Sequence, residues 1–140
     1  MKQIKVSEAT KIQLDWLVAK CEGHATYRRH DFLVRRAKHT GYEANLPWHL
    51  SQQTNDPIIG DISTGLTRPL PDYTTDWFQM GPIIDREKIS IRHWDNTPVI
   101  HAYMPTQGSD WSEGQTPLIA VARCYVTSKL GDTVEVPEEL

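Results

Sequence analysis

No stretch of the 140-residue sequence approaches the roughly 20 consecutive apolar residues that cross a bilayer, so a membrane-spanning helix is excluded. The opening MKQIKVSEATKIQL also lacks the uninterrupted apolar core of a secretory signal, and a cytoplasmic location is the expectation. A dominant charge is missing too. With 15 Lys and Arg against 18 Asp and Glu, the net charge of -3 supplies no global attraction to nucleic acid or anionic lipid; any such binding needs a local basic patch. Cysteine is scarce: Cys21 and Cys124 both sit in helix-like apolar patterns, where a reduced thiol acts as a small core hydrophobe, with a disulfide or reactive thiol as the lesser alternative.

Catalytic signatures are absent as well. There is no G-x-S-x-G elbow, no phosphate-binding G-x-x-x-x-G-K-[ST] loop, no H-E-x-x-H helix and no G-x-G-x-x-G turn. Six histidines invite a metal, and Cys21, His24 and His30 come nearest to a cluster, yet no second Cys or His pair has finger spacing. Neither a metal nor a cofactor is expected, and the chain is not expected to be an enzyme.

What remains is an ordinary globular composition, 39% hydrophobic and 24% charged, long enough for one core. Thr10 and Gln13 form a capping-box pattern ahead of Leu14, Leu17, Val18 and Cys21, whose spacing predicts an amphipathic helix ending at Gly23. Thr116, Pro117 and Gly131 bracket a second and more deeply buried helix over LIAVARCYVTSKL. The alternation in QIKVS and TVEVP predicts short strands at the two ends. That around Ile89, Ile91 and His93, followed by Val99, His101 and Tyr103, predicts an antiparallel pair. Between the helices, residues 24–70 pass from a basic run, TYRRHDFLVRRAKH, into a stretch rich in Pro, Gly, Asn and Thr. The expected class is therefore α+β: one domain over 1–140, with a small antiparallel sheet packed against two helices and a long irregular insertion or variable arm at 24–70.

The richest candidate site lies in YTTDWFQMGPIIDREKISIRHWD, residues 73–95, arranged about a Gly-Pro corner. Thr74, Thr75 and Asp76 resemble a helix N-cap or tight turn able to receive an anion. Trp77 and Trp94 offer faces for a planar ring, Arg86 and Arg92 offer forked donors for phosphate, and His93 with His101 would add polar pocket members. The competing reading makes Trp77 a core plug and pairs the arginines with Asp85 and Glu87. In the basic run, Arg28, Arg29, Arg35, Arg36 and Lys38 interleave with Tyr27 and Phe32, which suits a solvated helix face, an oligomer contact or a nucleic-acid platform.

Three blocks, LDWLVAKCEG (14–23), TTDWFQMGPIIDREKI (74–89) and TPLIAVARCYVTSKLGDTVEVPEEL (116–140), resemble the NinX-like proteins of tailed bacteriophages and prophages. Thr74 and Met80 stand where the family pattern has a serine and the first of two glycines. The resemblance implies a phage accessory protein, a viral protein of unknown function acting in the bacterial host cytoplasm. Together with the aromatic and arginine content of 73–95, it leads to the expectation of non-catalytic sequestration of a small nucleotide-derived ligand, an anti-defence role, by a homo-oligomer. The alternatives are an inhibitor that binds a host protein through the arm and Trp48, and a nucleic-acid-binding protein using the basic run.

Overall fold

The computed structural model describes residues 1–105 and 111–140. In chain order its elements are β1 (Lys2–Lys5), α1 (Lys11–Cys21), β2 (Thr26–Arg28), α2 (Arg29–Thr40), α3 (Leu46–Gln52), β3 (Pro57–Gly60), β4 (Thr67–Pro69), α4 (Trp77–Glu87), β5 (Ser90–His93), β6 (Ile100–Tyr103), β7 (Ser112–Gly114), α5 (Pro117–Leu130) and β8 (Thr133–Val136). The class is α+β, and the antiparallel pairing is spread over three small sheets, β1-β8, β2-β3-β4 and β5-β6-β7, instead of one. The chain divides into two compact units, residues 1–21 with 71–140, and residues 22–70.

In the larger unit α5 is the central element. The Thr116 hydroxyl accepts the Ile119 N–H at 3.2 Å, Pro117 takes the first helical position, and Gly131 ends the helix at φ 89°. Leu118 to Ala122 and Cys124 to Val126 are all buried, because α1 packs on α5 from one direction and β6 and β7 from another. At α1 the Thr10 N–H donates to Gln13 Oε1 (2.9 Å) and the Gln13 N–H donates to Thr10 Oγ1 (3.4 Å), the reciprocal pair that the sequence indicates. The helix is not amphipathic, however, since every residue from Gln13 to Ala19 is buried. Burial of Leu14, Leu17, Val18, Val121 and Val126 stabilises the unit by about 1.5–3 kcal/mol per side chain.

β1 and β8 pair with Ile4 opposite Val134, joining the two ends of the chain. Val6, expected in the first strand, instead enters a 3-10 turn at Val6–Glu8, where its N–H donates to the Asp132 carbonyl at 2.9 Å.

The Gly-Pro corner expected at 81–82 is not a corner. Both residues lie inside α4, whose N-cap Asp76 accepts the Phe78 N–H at 2.9 Å. Proline here forgoes only a bond to the Phe78 carbonyl, in an exposed first turn where water can replace the donor. Gly81 carries no Cβ to oppose the Pro82 ring, which removes the side-chain part of the steric conflict that normally drives a pre-proline residue out of the helical region. Met80 and Ile83 provide the buried side of α4.

Residues 22–70 are ordered rather than irregular. β2, β3 and β4 form an antiparallel sheet with Tyr27 opposite Ile58 and Ile59 opposite Arg68. Phe32 of α2 lies so close to Gly60 that a Cβ there would come within 2.4 Å of its ring. The basic run is drawn largely into structure. Arg29 makes a bidentate pair with Asp56 (2.7 and 3.0 Å), which holds the Asp56 carboxyl down at about 2. Arg36 donates to the carbonyls of Ile62 and Ser63, and Arg35 stands over the Tyr27 ring. The turn-former density of 41–70 thus marks short elements separated by tight turns. α3 buries none of its residues and leaves Trp48 64% exposed.

Candidate functional site

A sheet with side chains alternating between faces sorts residues by parity, and the β5-β6-β7 register decides which of them meet. Arg92 is opposite His101, and His101 is opposite Glu113. One face therefore carries Arg92 and, just past the strand, Trp94 from β5, His101 and Tyr103 from β6, and Trp111 and Glu113 from the β7 segment. The other face presents Ala102 and Gly114 toward α5, against which β6 and β7 pack.

The first face is an aromatic cluster. The Trp94 and His101 rings stack with centroids 4.1 Å apart and planes 29° apart. Trp111 meets Trp94 edge-on at 5.5 Å and Tyr103 in a tilted contact at 4.9 Å. The Arg92 guanidinium carbon lies 5.9 Å from the Trp111 ring centre, within range of a cation–π contact. Beneath Trp94, His101 is buried; one ring nitrogen, Nε2, is 3.2 Å from Glu113 Oε1, and the other has no partner among the described residues. The cluster is a rigid, amphipathic surface of the kind on which planar ligands stack.

Trp111 and Glu113 also border a cavity of about 930 Å³ that lies between the end of β1, the following 3-10 turn, β7, α5 and the start of β8. Lys5, Ser7, Arg123 and Asp132 contribute polar lining, and the size is at the upper end of that typical for small-molecule sites. Gly114 brings the β7 wall against α5: a Cβ there would sit 2.5 Å from the Ala120 nitrogen.

Of the eight residues singled out from sequence, Arg92 and Trp94 share the aromatic face. His93 belongs to the opposite face by alternation, so it does not join His101. Thr74 is buried, and its N–H donates to Asp15 Oδ1 at 2.8 Å. Thr75 is exposed, Asp76 caps α4, and Trp77 in the first turn is 55% exposed, so it is not a core plug. Arg86 lies about 14 Å further along the α4 axis, donating to Tyr125 Oη at 3.1 Å and to Glu87 at 3.4 Å. None of the eight lines the cavity, whose rim Arg92 and Trp94 approach through Trp111. Sequence reasoning missed Tyr103, Trp111, Glu113 and Arg123. The even-odd pattern of HAYM was the available signal for Tyr103; Trp111 had none, because its place depends on which strand β6 pairs with next.

Two further polar groups are shaped by burial. The Asp15 carboxyl is pushed up from 3.8 to about 6, chiefly by burial and slightly by Asp72, against the lowering effect of the Thr74 N–H and Lys11. Burial likewise lifts the Cys124 thiol to about 11, which leaves it protonated and unreactive at neutral pH. Among the described residues no group of three or more His, Cys, Asp or Glu is placed to hold a metal ion. No described helix is long and apolar enough to cross a membrane.

The family model described as Bacteriophage P22, NinX matches residues 5–129. No curated protein matches the chain.

Proposed function

This chain belongs to the bacteriophage NinX family, and on that premise we propose that it binds and sequesters a small nucleotide-derived ligand, a bacterial defence signal, without chemically altering it. The observation that carries this reading is the Trp94–His101–Trp111–Tyr103 face with Arg92 at its edge, continuous through Trp111 with a cavity of nucleotide size. A stacked base on Trp111 gains dispersion and quadrupole contacts, on the order of 1–3 kcal/mol, without a demand for one particular sequence of donors and acceptors. Homo-oligomerisation would help by enclosing more of the ligand, since capture at stoichiometric levels requires tight binding. The host cytoplasm is where such a protein would act.

The test is a heat-stability panel of cyclic and linear nucleotides, ADP-ribose derivatives included. A ligand at about 100 times its Kd should stabilise the fold by about 2.7 kcal/mol, and a panel in which nothing shifts the melt sinks the reading. Trp111→Ala should weaken the binding by roughly 10- to 100-fold, in line with the loss of one stacking platform. Boiling the complex separates capture from turnover: intact ligand supports sequestration, whereas products reveal an enzyme.

A second reading is favoured by one specific observation. α3 buries nothing, and Trp48, 64% exposed and edge-on to His49, is the kind of aromatic that anchors a protein interface. Under this reading residues 22–70 dock a host protein. Trp48→Ala should then abolish capture of that protein in pull-downs from infected cells while leaving the melt unchanged.

A further inference from the structure

Four charged side chains line the cavity: Lys5, Arg123, Glu113 and Asp132. Among the described residues neither cation forms an ion pair with either acid; the Glu113 carboxylate turns instead to His101 Nε2. Arg123 is held by two backbone carbonyls, donating from Nη1 to the Glu113 carbonyl (2.8 Å) and from Nη2 to the Ala9 carbonyl (3.2 Å). Its Nε is buried with no partner among the described residues. Those bonds fix the plane of the guanidinium, and they leave its charge uncompensated. A partly buried cation in a folded protein is ordinarily matched by a carboxylate, because the desolvated charge is otherwise costly. Burial does lower the Arg123 pKa, the direction expected of a cation that has lost water and gained no counter-charge.

From this arrangement we infer that the cavity is an anion site, with the fixed Arg123 guanidinium and the exposed Lys5 ammonium converging on a phosphoryl group of the bound ligand. The inference rests on the ligand-binding reading above and narrows it to phosphorylated molecules whose ring lies on the Trp111 side. Arg123 and Lys5 come from different elements, α5 and the end of β1. Two cations on separate walls suit a diphosphate, which offers oxygens in several directions, better than a single carboxylate. The guanidinium fork, already oriented by protein carbonyls, requires little ordering when the anion arrives.

The test uses the full chain at constant ionic strength and compares inorganic pyrophosphate, succinate, a nucleoside and its diphosphate by calorimetry and thermal melting. Pyrophosphate alone should raise the melting midpoint, succinate should not, and the diphosphate should bind at least 10-fold more tightly than the nucleoside. Lys5→Met removes a charge from an exposed strand end and leaves the fold undisturbed; it should weaken the diphosphate several-fold and leave the nucleoside unaffected. Arg123→Lys should weaken it more, with circular dichroism confirming the fold. Equal affinity for nucleoside and diphosphate, unchanged by Lys5→Met, overturns the anion site while ring capture stands. Stabilisation by pyrophosphate with no binding of any nucleoside derivative keeps the anion site and removes the nucleotide reading. A response to succinate equal to that of pyrophosphate overturns the preference for phosphate.

Discussion

Gly114→Ala is expected to lower the melting midpoint by about 10 °C. A Cβ at this position would lie 2.5 Å from the Ala120 nitrogen, 2.9 Å from Ile119 Cγ2 and 3.0 Å from the Ala120 Cα. Two of these three atoms are helix backbone, which cannot swing aside as a side chain can. The helix they belong to is wedged between α1 and the β6–β7 strands, with Ala120, Val121 and Ala122 all at 0% exposure. Either β7 withdraws, opening the seam over Ala102 and Met104, or α5 shifts and strains its packing on α1. Overpacking of this kind costs about 1–3 kcal/mol, and the backbone contact places the variant at or above the upper end. For a chain of this length roughly 3 °C is lost per kcal/mol. Because Gly114 lines the cavity and lies next to Glu113, ligand affinity should fall with stability. A melt within about 2 °C of the parent would show that the two walls do not approach as closely as drawn.

How much of this was legible in the sequence depended on range. The ends of α1 and α5 were readable because their signals are local: Thr10 with Gln13, Thr116 with Pro117, and Gly131 each act within one turn of the backbone they terminate. The β5–β6 pair was readable from alternation. α4 was not, because Pro82 is a breaker by itself, and only its partnership with Gly81 and an exposed first turn makes it tolerable. The order of residues 22–70 was hidden for a different reason. Gly60 against Phe32, and Arg29 against Asp56, are pairings across 28 and 27 residues that no turn statistic encodes.

The candidate site was half legible. Composition drew attention to Arg92 and Trp94, which share the aromatic face, whereas proximity in sequence grouped them with His93, which strand alternation sends to the opposite face. It also grouped Trp77 with Arg86 although nine residues of helix set them about 14 Å apart along the axis. The cavity was invisible altogether, since its walls are drawn from residues 5–7, 99, 111–115, 123, 127 and 132–133. Chains that bring their two ends together, as β1 and β8 do, assemble sites whose members share no local pattern.

Asp15→Asn should stabilise the protein at neutral pH, by about 2 kcal/mol. Asp15 is 7% exposed, and its carboxyl accepts the Thr74 N–H, tying α1 to the segment that leads into α4. Burial lifts its pKa from 3.8 to about 6, so between those values the folded state holds a proton that the unfolded chain has released. The sign follows: the stabilising contribution of the protonated group is complete below about pH 4, declines as pH rises through about 6, and is absent at pH 7. A displacement of this size corresponds to roughly 3 kcal/mol at about 1.4 kcal/mol per pH unit. Asparagine keeps the acceptor for the Thr74 N–H and never ionises. The cost of burying its extra N–H donors brings the expected gain below the full amount. Asp15→Ala removes the acceptor and leaves a buried N–H unpaired, so it should destabilise by about 1–3 kcal/mol at pH 4, whereas at pH 7 relief of the buried charge offsets that loss and the Ala variant should fall below the Asn variant by a similar amount. Urea unfolding at pH 4 and pH 7 checks the set: at pH 4 the parent should be the more stable by about 1 kcal/mol, the cost of the extra buried donors, and at pH 7 the Asn variant should be the more stable by about 2 kcal/mol. A parent protein whose stability is flat over that interval, or an Asn variant weaker at pH 7, would mean that the carboxylate is solvated or paired, and that the link from α1 to α4 is held by something other than this bond.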